Sequence, residues 1–339
     1  MWALLQENLE KNSISLREVE EPQPGIGEVK IRVRAAGICG TDIHGISSLN
    51  PPVILGHEFS GEVVEIGQEV KRIKVGDRVT SETTIYRCGV CPYCREGFFN
   101  LCPERKGIGS GANGSFAEYI VVPEFAVHVL PEKLSFEEGA VLEPLACATR
   151  GVLEQTRIGG NDKVVVLGPG PLGILVSWVA KTRGASVILV GKQEDELRFQ
   201  VAKEGEVDYL LNLDEVNIKE AITQEIDPYG VDVVFECSGA LPAVSLGLEV
   251  LKKRGRYVQM GIIHKPVIVD FDQYLFSREL KITGSRTQTT SSWEKAINLL
   301  ENTNLPLEKI VTHILPLSQW QEGFELTKNR KAIKVVLKP

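Results

Sequence analysis

The sequence predicts an α/β protein with a compact, mostly antiparallel β-rich domain and a second domain built on a doubly wound parallel sheet. Three observations carry this. The 339 residues suit roughly two domains. Short β-type runs punctuated by Gly and Asp turns fill the chain to about residue 130. From Lys163 onward, strand-like and helical segments alternate, the pattern of a parallel sheet with crossover helices. Apolar residues at 43% and charged residues at 24% match globular averages, so a sizeable core can be buried. Lys and Arg number 38 against 45 Asp and Glu, a net charge of −7. That balance argues against nucleic acid or an anionic membrane as the main partner, while leaving room for a local basic pocket for phosphate.

The elements follow in order. Residues 1–7 lack the basic start and long apolar stretch of a signal peptide. The longest apolar run in a helical setting, 172–180, is about nine residues where a membrane span needs roughly twenty. A soluble, cytoplasmic protein is expected. Residues 28–35 alternate apolar and charged side chains with period two, a half-buried strand. Runs at 61–67 and 75–79 continue the β-rich part. Ser135 followed by Glu138 forms a capping-box pattern, and helical segments are expected from there to about Arg157. Strands are then expected at 164–167, 186–190, 231–236 and 256–261, with helices near 172–183, 193–204 and 241–253. The alternation ends near Gly284, and a last helix (293–301) and strand (334–337) follow. No internal repeat or low-complexity tract is present.

Seven cysteines, an odd number, in a large acidic chain do not form a disulfide framework. Four of them crowd into Cys88-x2-Cys91-x2-Cys94-x7-Cys102. Four thiolates so spaced suit tetrahedral zinc at about 2.3 Å and leave no ligand position open, so this site is structural. It would pin a lobe too short to bury its own core. A second constellation, Cys39-Gly40-Thr41-Asp42-Ile43-His44 followed by Gly56-His57-Glu58, offers one thiolate and one imidazole. Glu58 or a more distant carboxylate supplies the third ligand, with the fourth position open, the layout of a catalytic zinc. Thr41 and His44 form a candidate proton relay, and Asp42 a candidate acceptor orienting the ligating histidine. The third motif, Gly168-Pro169-Gly170-Pro171-Leu172-Gly173, follows a strand and opens a helix. That context makes it a dinucleotide fingerprint, with the helix N-terminus favouring a pyrophosphate.

Together these motifs resemble the zinc-dependent medium-chain dehydrogenase/reductase family over essentially the whole chain. Gly56-His57-Glu58-x2-Gly61-x5-Gly67-x2-Val70 is similar to the family's zinc signature. The resemblance implies a GroES-like catalytic domain from residues 1–150 and 285–339, with a Rossmann domain at 151–284 and the active site in the cleft. It implies two zincs per chain, NADP or NAD as cofactor, a homodimer or homotetramer, and a polyol or polyol phosphate as substrate. Glu143-Pro144 stands where the polyol and threonine branches carry Glu-Pro. It makes Glu143 a direct or water-mediated zinc contact and Glu58 its neighbour or alternate, with Cys147 as another ligand candidate. Residues 79–84, 105–109 and 284–288 resemble the sugar-alcohol subgroup. Arg286 would meet cofactor or substrate hydroxyls, and Lys334 would approach the pyrophosphate.

One position departs from the fingerprint. The second strand of the nucleotide fold should end in Asp or Glu to hold the ribose 2′-hydroxyl of NAD, but Gly191 and Lys192 stand there. Lys192 is suited to a 2′-phosphate, which inclines the chain to NADP, although Glu194, Asp195 and Glu196 follow at once. An exposed edge at 267–270 would pair two copies. The rival activities are a threonine-type or simple alcohol dehydrogenase, and more remotely a silent nucleotide-binding protein.

Overall fold

The computed structural model describes residues 1–10, 13–44 and 50–339, without the side chain of His44. The chain divides into two units, residues 1–143 with 288–302 and 307–339, and residues 144–287 with 303–306. Among the described residues no helix is long and apolar enough to cross a membrane.

The first unit is built on a seven-stranded sheet. Its order is Val127–Val129, Arg78–Ser81, Glu58–Ile66, Glu28–Gly37, Lys334–Lys338 and Val311–Pro316, with Tyr119–Pro123 also on Glu28–Gly37. All these pairs are antiparallel except Val311–Pro316 with Lys334–Lys338, which is parallel. A parallel pair needs a crossover, and the helix Trp320–Lys328 provides it. Neither that helix, although amphipathic, nor the strand Val311–Pro316 is among the elements expected from the sequence. Along Glu28–Gly37, Val29, Ile31 and Val33 enter the core with Phe59, Phe116 and Val335, while Arg32 and Arg34 face out. Lys30 breaks the alternation. It is buried, with its ammonium 2.5 Å from Glu21 and 5.2 Å from the Tyr119 ring centroid. A charge buried this deeply needs such partners.

The second unit is a six-stranded, wholly parallel sheet. Its order is Tyr209–Asn212, Ser186–Gly191, Lys163–Leu167, Val231–Glu236, Leu251–Gln259 and Lys281–Gly284. Numbered within the unit, this is 3-2-1-4-5-6, the doubly wound nucleotide-binding order. The expected helix at 241–253 ends at Val250 instead, because Leu251 turns extended and pairs with Val231. Residues 267–270 are not an edge strand. Val267 and Val269 pack on the core while Ile268 is 97% exposed, and Lys281–Gly284 forms the edge.

Candidate metal centres and nucleotide site

The four cysteines at 88–102 converge so that their sulfurs all lie within 4.8 Å of one another. Local backbone sets this up. Cys91 caps the short helix Pro92–Arg95 by accepting from the Cys94 N–H at 3.4 Å, and Cys88 accepts from the Cys91 N–H at 3.4 Å. Backbone N–H groups, that of Val90 first, lower the Cys88 thiol to about 7, while burial pushes Cys94 up to about 12. Bringing all four to thiolate calls for a dication among them, so this donor set fits zinc.

The second cluster joins two segments, the turn before Gly40–His44 and the start of Glu58–Ile66. Cys39, His57 and Glu58 place one ligand atom each within 4.8 Å of the others. Cys39 precedes the short helix Gly40–His44, and Glu58 opens the strand Glu58–Ile66. Asp42 touches both of its neighbours. Its Oδ2 accepts from the Cys39 N–H at 2.8 Å, and its Oδ1 lies 3.4 Å from His57 Nδ1. Burial opposes charge on His57, but Asp42 and then Cys39 outweigh it and hold the imidazole pKa well above its ordinary value. A pocket in which thiol and carboxylates surround one imidazole in this way favours a cation. The Thr41 hydroxyl, two residues beyond Cys39, is buried without a hydrogen-bond partner. Buried hydroxyls are rarely left so, and a ligand arriving at the cluster would satisfy it. The residues present therefore fit a catalytic zinc.

The carboxylate in the cluster is Glu58, and Glu143 does not join that set. Glu143 sits in the first turn of Leu142–Thr149, buried, and accepts from Gln288 Nε2 at 3.1 Å. The expectation for Lys334 needs correction. Its ammonium is 2% exposed, 2.5 Å from Glu58 Oε2 and 3.0 Å from the Ile38 carbonyl oxygen. Burial opposes its charge, yet Glu58, then Cys39 and with smaller weight Glu143, raise its pKa. Buried and paired with Glu58, this lysine is committed to the metal cluster and is not presented to a pyrophosphate. Its place between apolar Ile333 and Val335 was the available sequence signal for a buried ion pair. Gln288 carried no such signal within its polar run. The proton-relay role of His44 falls on a side chain outside the described residues.

In the second unit the three fingerprint glycines separate by function. Gly168 has φ +98°, the left-handed turn. A Cβ on Gly173 would lie 1.9 Å from the Gly168 carbonyl oxygen, so only glycine permits that helix–strand approach. Beside Gly170, by contrast, a Cβ would meet nothing within 4 Å. That open space lies at the N-cap of Pro171–Lys181, where backbone N–H groups favour an anion. An open helix N-terminus of this kind suits a dinucleotide pyrophosphate, with Pro171 and Leu172 opening the helix.

At the end of Ser186–Gly191, Lys192 is exposed. The nearby Asp195 is buried and engaged, accepting from the Lys192 N–H at 3.1 Å and from Arg198 Nη1 at 3.0 Å. It is therefore ill placed to serve as a ribose acceptor. Gly191 has no room for a side chain, since a Cβ would lie 2.7 Å from Pro169 and 2.8 Å from Phe199. Arg286 is exposed in the loop after Lys281–Gly284, and its carbonyl accepts from Arg150. Cys147 is half-buried and belongs to neither metal cluster.

Comparison with known proteins agrees with this architecture. Residues 25–132 match the alcohol dehydrogenase GroES-like domain, and residues 171–302 match the zinc-binding dehydrogenase domain. The chain is 43% identical to a sorbitol dehydrogenase from Halalkalibacterium halodurans, covering 100% of this chain and 99% of that one. The chain belongs to the zinc-dependent medium-chain dehydrogenase/reductase family. This dehydrogenase is also 40% identical to a D-arabitol-phosphate dehydrogenase from Enterococcus avium, over 94% of this chain and 92% of the other. Among solved structures, a zinc-binding dehydrogenase from Sinorhizobium meliloti 1021 bound to NADP superposes with a TM-score of 0.92. Their identity is 32%, covering 100% of this chain and 99% of that one. The dehydrogenase is thus a GroES-like and Rossmann enzyme of a zinc- and nicotinamide-dependent family.

Proposed function

We propose that this dehydrogenase interconverts a secondary alcohol of a polyol or polyol phosphate with the ketose. The observation that carries the reading is the Cys39, His57 and Glu58 cluster, with the buried Thr41 hydroxyl two residues beyond Cys39 unpartnered. When bound, zinc supplies Lewis acidity at the alcohol oxygen and a nicotinamide supplies the hydride acceptor. Cys39, His57 and Glu58 hold the metal, and Asp42 fixes the imidazole from behind. Thr41 accepts the hydroxyl proton and passes it towards His44. Glu143 acts as the nearby carboxylate that meets a water or substrate hydroxyl. Cys88, Cys91, Cys94 and Cys102 hold a second, structural zinc.

Gly168, Gly170, Pro171, Leu172 and Gly173 receive the pyrophosphate. Lys192 meets a 2′-phosphate, which favours NADP, with Gly191 bringing no carboxylate to repel it and Arg286 contacting cofactor or substrate. The catalytic domain comprises 1–150 and 285–339, and the nucleotide domain 151–284. The enzyme works in the cytoplasm, and its copies associate through the second unit, where Ile268, Phe271 and Phe276 are exposed. The test is a panel of pentitols, hexitols, their phosphates and L-threonine, each with NAD⁺ and NADP⁺. Turnover of polyols or their phosphates is expected. Turnover confined to threonine or simple alcohols would overturn the substrate class.

A further inference from the structure

Four side chains in the first unit form a hydrogen-bond chain that ends on Glu143. Arg105 Nε donates to Thr84 Oγ1 at 2.7 Å, and its Nη2 donates to Thr83 Oγ1 at 3.1 Å. The Thr83 hydroxyl donates to Gln288 Oε1 at 3.3 Å, and Gln288 Nε2 donates to Glu143 Oε1 at 3.1 Å. Thr83, Thr84, Gln288 and Glu143 are each at most 7% exposed, so water does not substitute freely for these partners. Residues 83–84, 105 and 288 are far apart in sequence, and the fold brings them onto one line.

Direction along this line is decided at one end. A guanidinium has donors only, and the Thr84 bond keeps Arg105 from rotating away. Thr83 must accept from it, which turns the single hydroxyl proton towards Gln288. A carboxamide reversed at Gln288 would place its oxygen against the Glu143 oxygen, two acceptors facing each other in a dry setting. The amide nitrogen therefore faces Glu143, and Glu143 Oε1 is held as an acceptor.

We propose that Arg105 is a positioning residue: acting through Thr83 and Gln288, it orients the Glu143 carboxylate for the metal-side chemistry. This rests on the reading of Glu143 as a site carboxylate, so Glu143→Gln is included as the reference. The probe is cobalt(II) exchanged into the Cys39, His57 and Glu58 site of the full-length protein, with zinc kept in the four-cysteine lobe. Steady-state kinetics use sorbitol as the probe alcohol.

Thr83→Val and Arg105→Met are expected to change the visible cobalt spectrum. Each should lower kcat about tenfold, the scale of one hydrogen bond to a charged group, with the cofactor KM unchanged. Thr83→Ser, which keeps the hydroxyl, should restore both readouts. If Glu143→Gln is impaired while Thr83→Val and Arg105→Met keep the wild-type spectrum and kcat, the chain does not position Glu143 and the proposal falls. A loss in Thr83→Val that Thr83→Ser shares would mean simple packing and also overturns it. Wild-type behaviour of Glu143→Gln would instead remove Glu143 from the site, defeating the reading beneath.

Discussion

The two metal-type clusters of the first unit are built in opposite ways. Cys88, Cys91, Cys94 and Cys102 come from one short segment, and backbone N–H groups of that same segment serve their sulfurs. Cys39, His57 and Glu58 come from separate elements, and their partners are charged side chains, Asp42 and Lys334, the latter 276 residues from Glu58. The first set is chemically uniform and closed. The second mixes thiol, imidazole and carboxylate, and the buried Thr41 hydroxyl two residues from Cys39 is unpartnered. A structural metal site can be self-contained, whereas a reactive one depends on the whole fold to hold unlike groups together.

Substitution should expose that contrast, most sharply at Cys39. Cys39→Ser is expected to abolish turnover and remove one of two zincs while the melting temperature stays close to wild type. Near wild-type activity would place the catalytic centre elsewhere. Cys91→Ser strikes the other cluster, removing one thiolate while leaving a hydroxyl that can still cap Pro92–Arg95. A closed zinc site contributes on the order of 10 kcal/mol to folding its segment, so a marked fall in Tm and loss of the other zinc are expected. An unchanged Tm with full metal content would make the lobe independent of its metal.

Lys334→Met separates the two designs further, because it strips the buried counter-charge from Glu58 without touching a thiolate. Breaking such a pair costs about 3–5 kcal/mol, to be read from urea unfolding. A loss below about 1 kcal/mol would mean that the pair is solvated. The smallest effect is expected outside both clusters. Lys192→Ala should raise the KM for NADP⁺ about tenfold and leave that for NAD⁺ unchanged. Equal effects on both cofactors would reduce Lys192 to a surface residue. Gly191→Asp is a poorer probe, since its side chain would collide with Pro169 and Phe199.

The same contrast explains what the sequence made legible. The four-cysteine spacing, the Gly168–Gly173 turn and the Ser135 cap with Glu138 are local, and each appears where the residues alone put it. Residue type also pointed to Cys39, His57 and Glu58, because thiol and imidazole near a carboxylate imply metal wherever they meet. Pairings across long separations left no trace in the sequence. The apolar neighbours of Lys334 hint at burial, but nothing in the chain announces Glu58 as its partner. Gln288 had no assigned role because its bond to Glu143 exists only once residues 143 and 288 are brought together. The helix at 241–253 was overextended for a similar reason, since a sheet partner at Val231 draws Leu251 out of it.

The position of Lys334–Lys338 between Glu28–Gly37 and Val311–Pro316 has a consequence for the order of assembly. During synthesis the segment from Pro144 to Thr287 emerges with every strand of its own sheet in hand and can fold as a unit. The β-rich unit that began earlier has to wait. Until residue 334 leaves the ribosome, its sheet lacks an inner strand and Glu58 lacks its cation, with the strand Glu58–Ile66 already made. The earliest part of the chain is therefore the last to mature, and the nascent protein passes through a state in which the nucleotide-binding half is complete while the metal-binding half still exposes an open sheet edge, the stage at which a chaperone has most to protect.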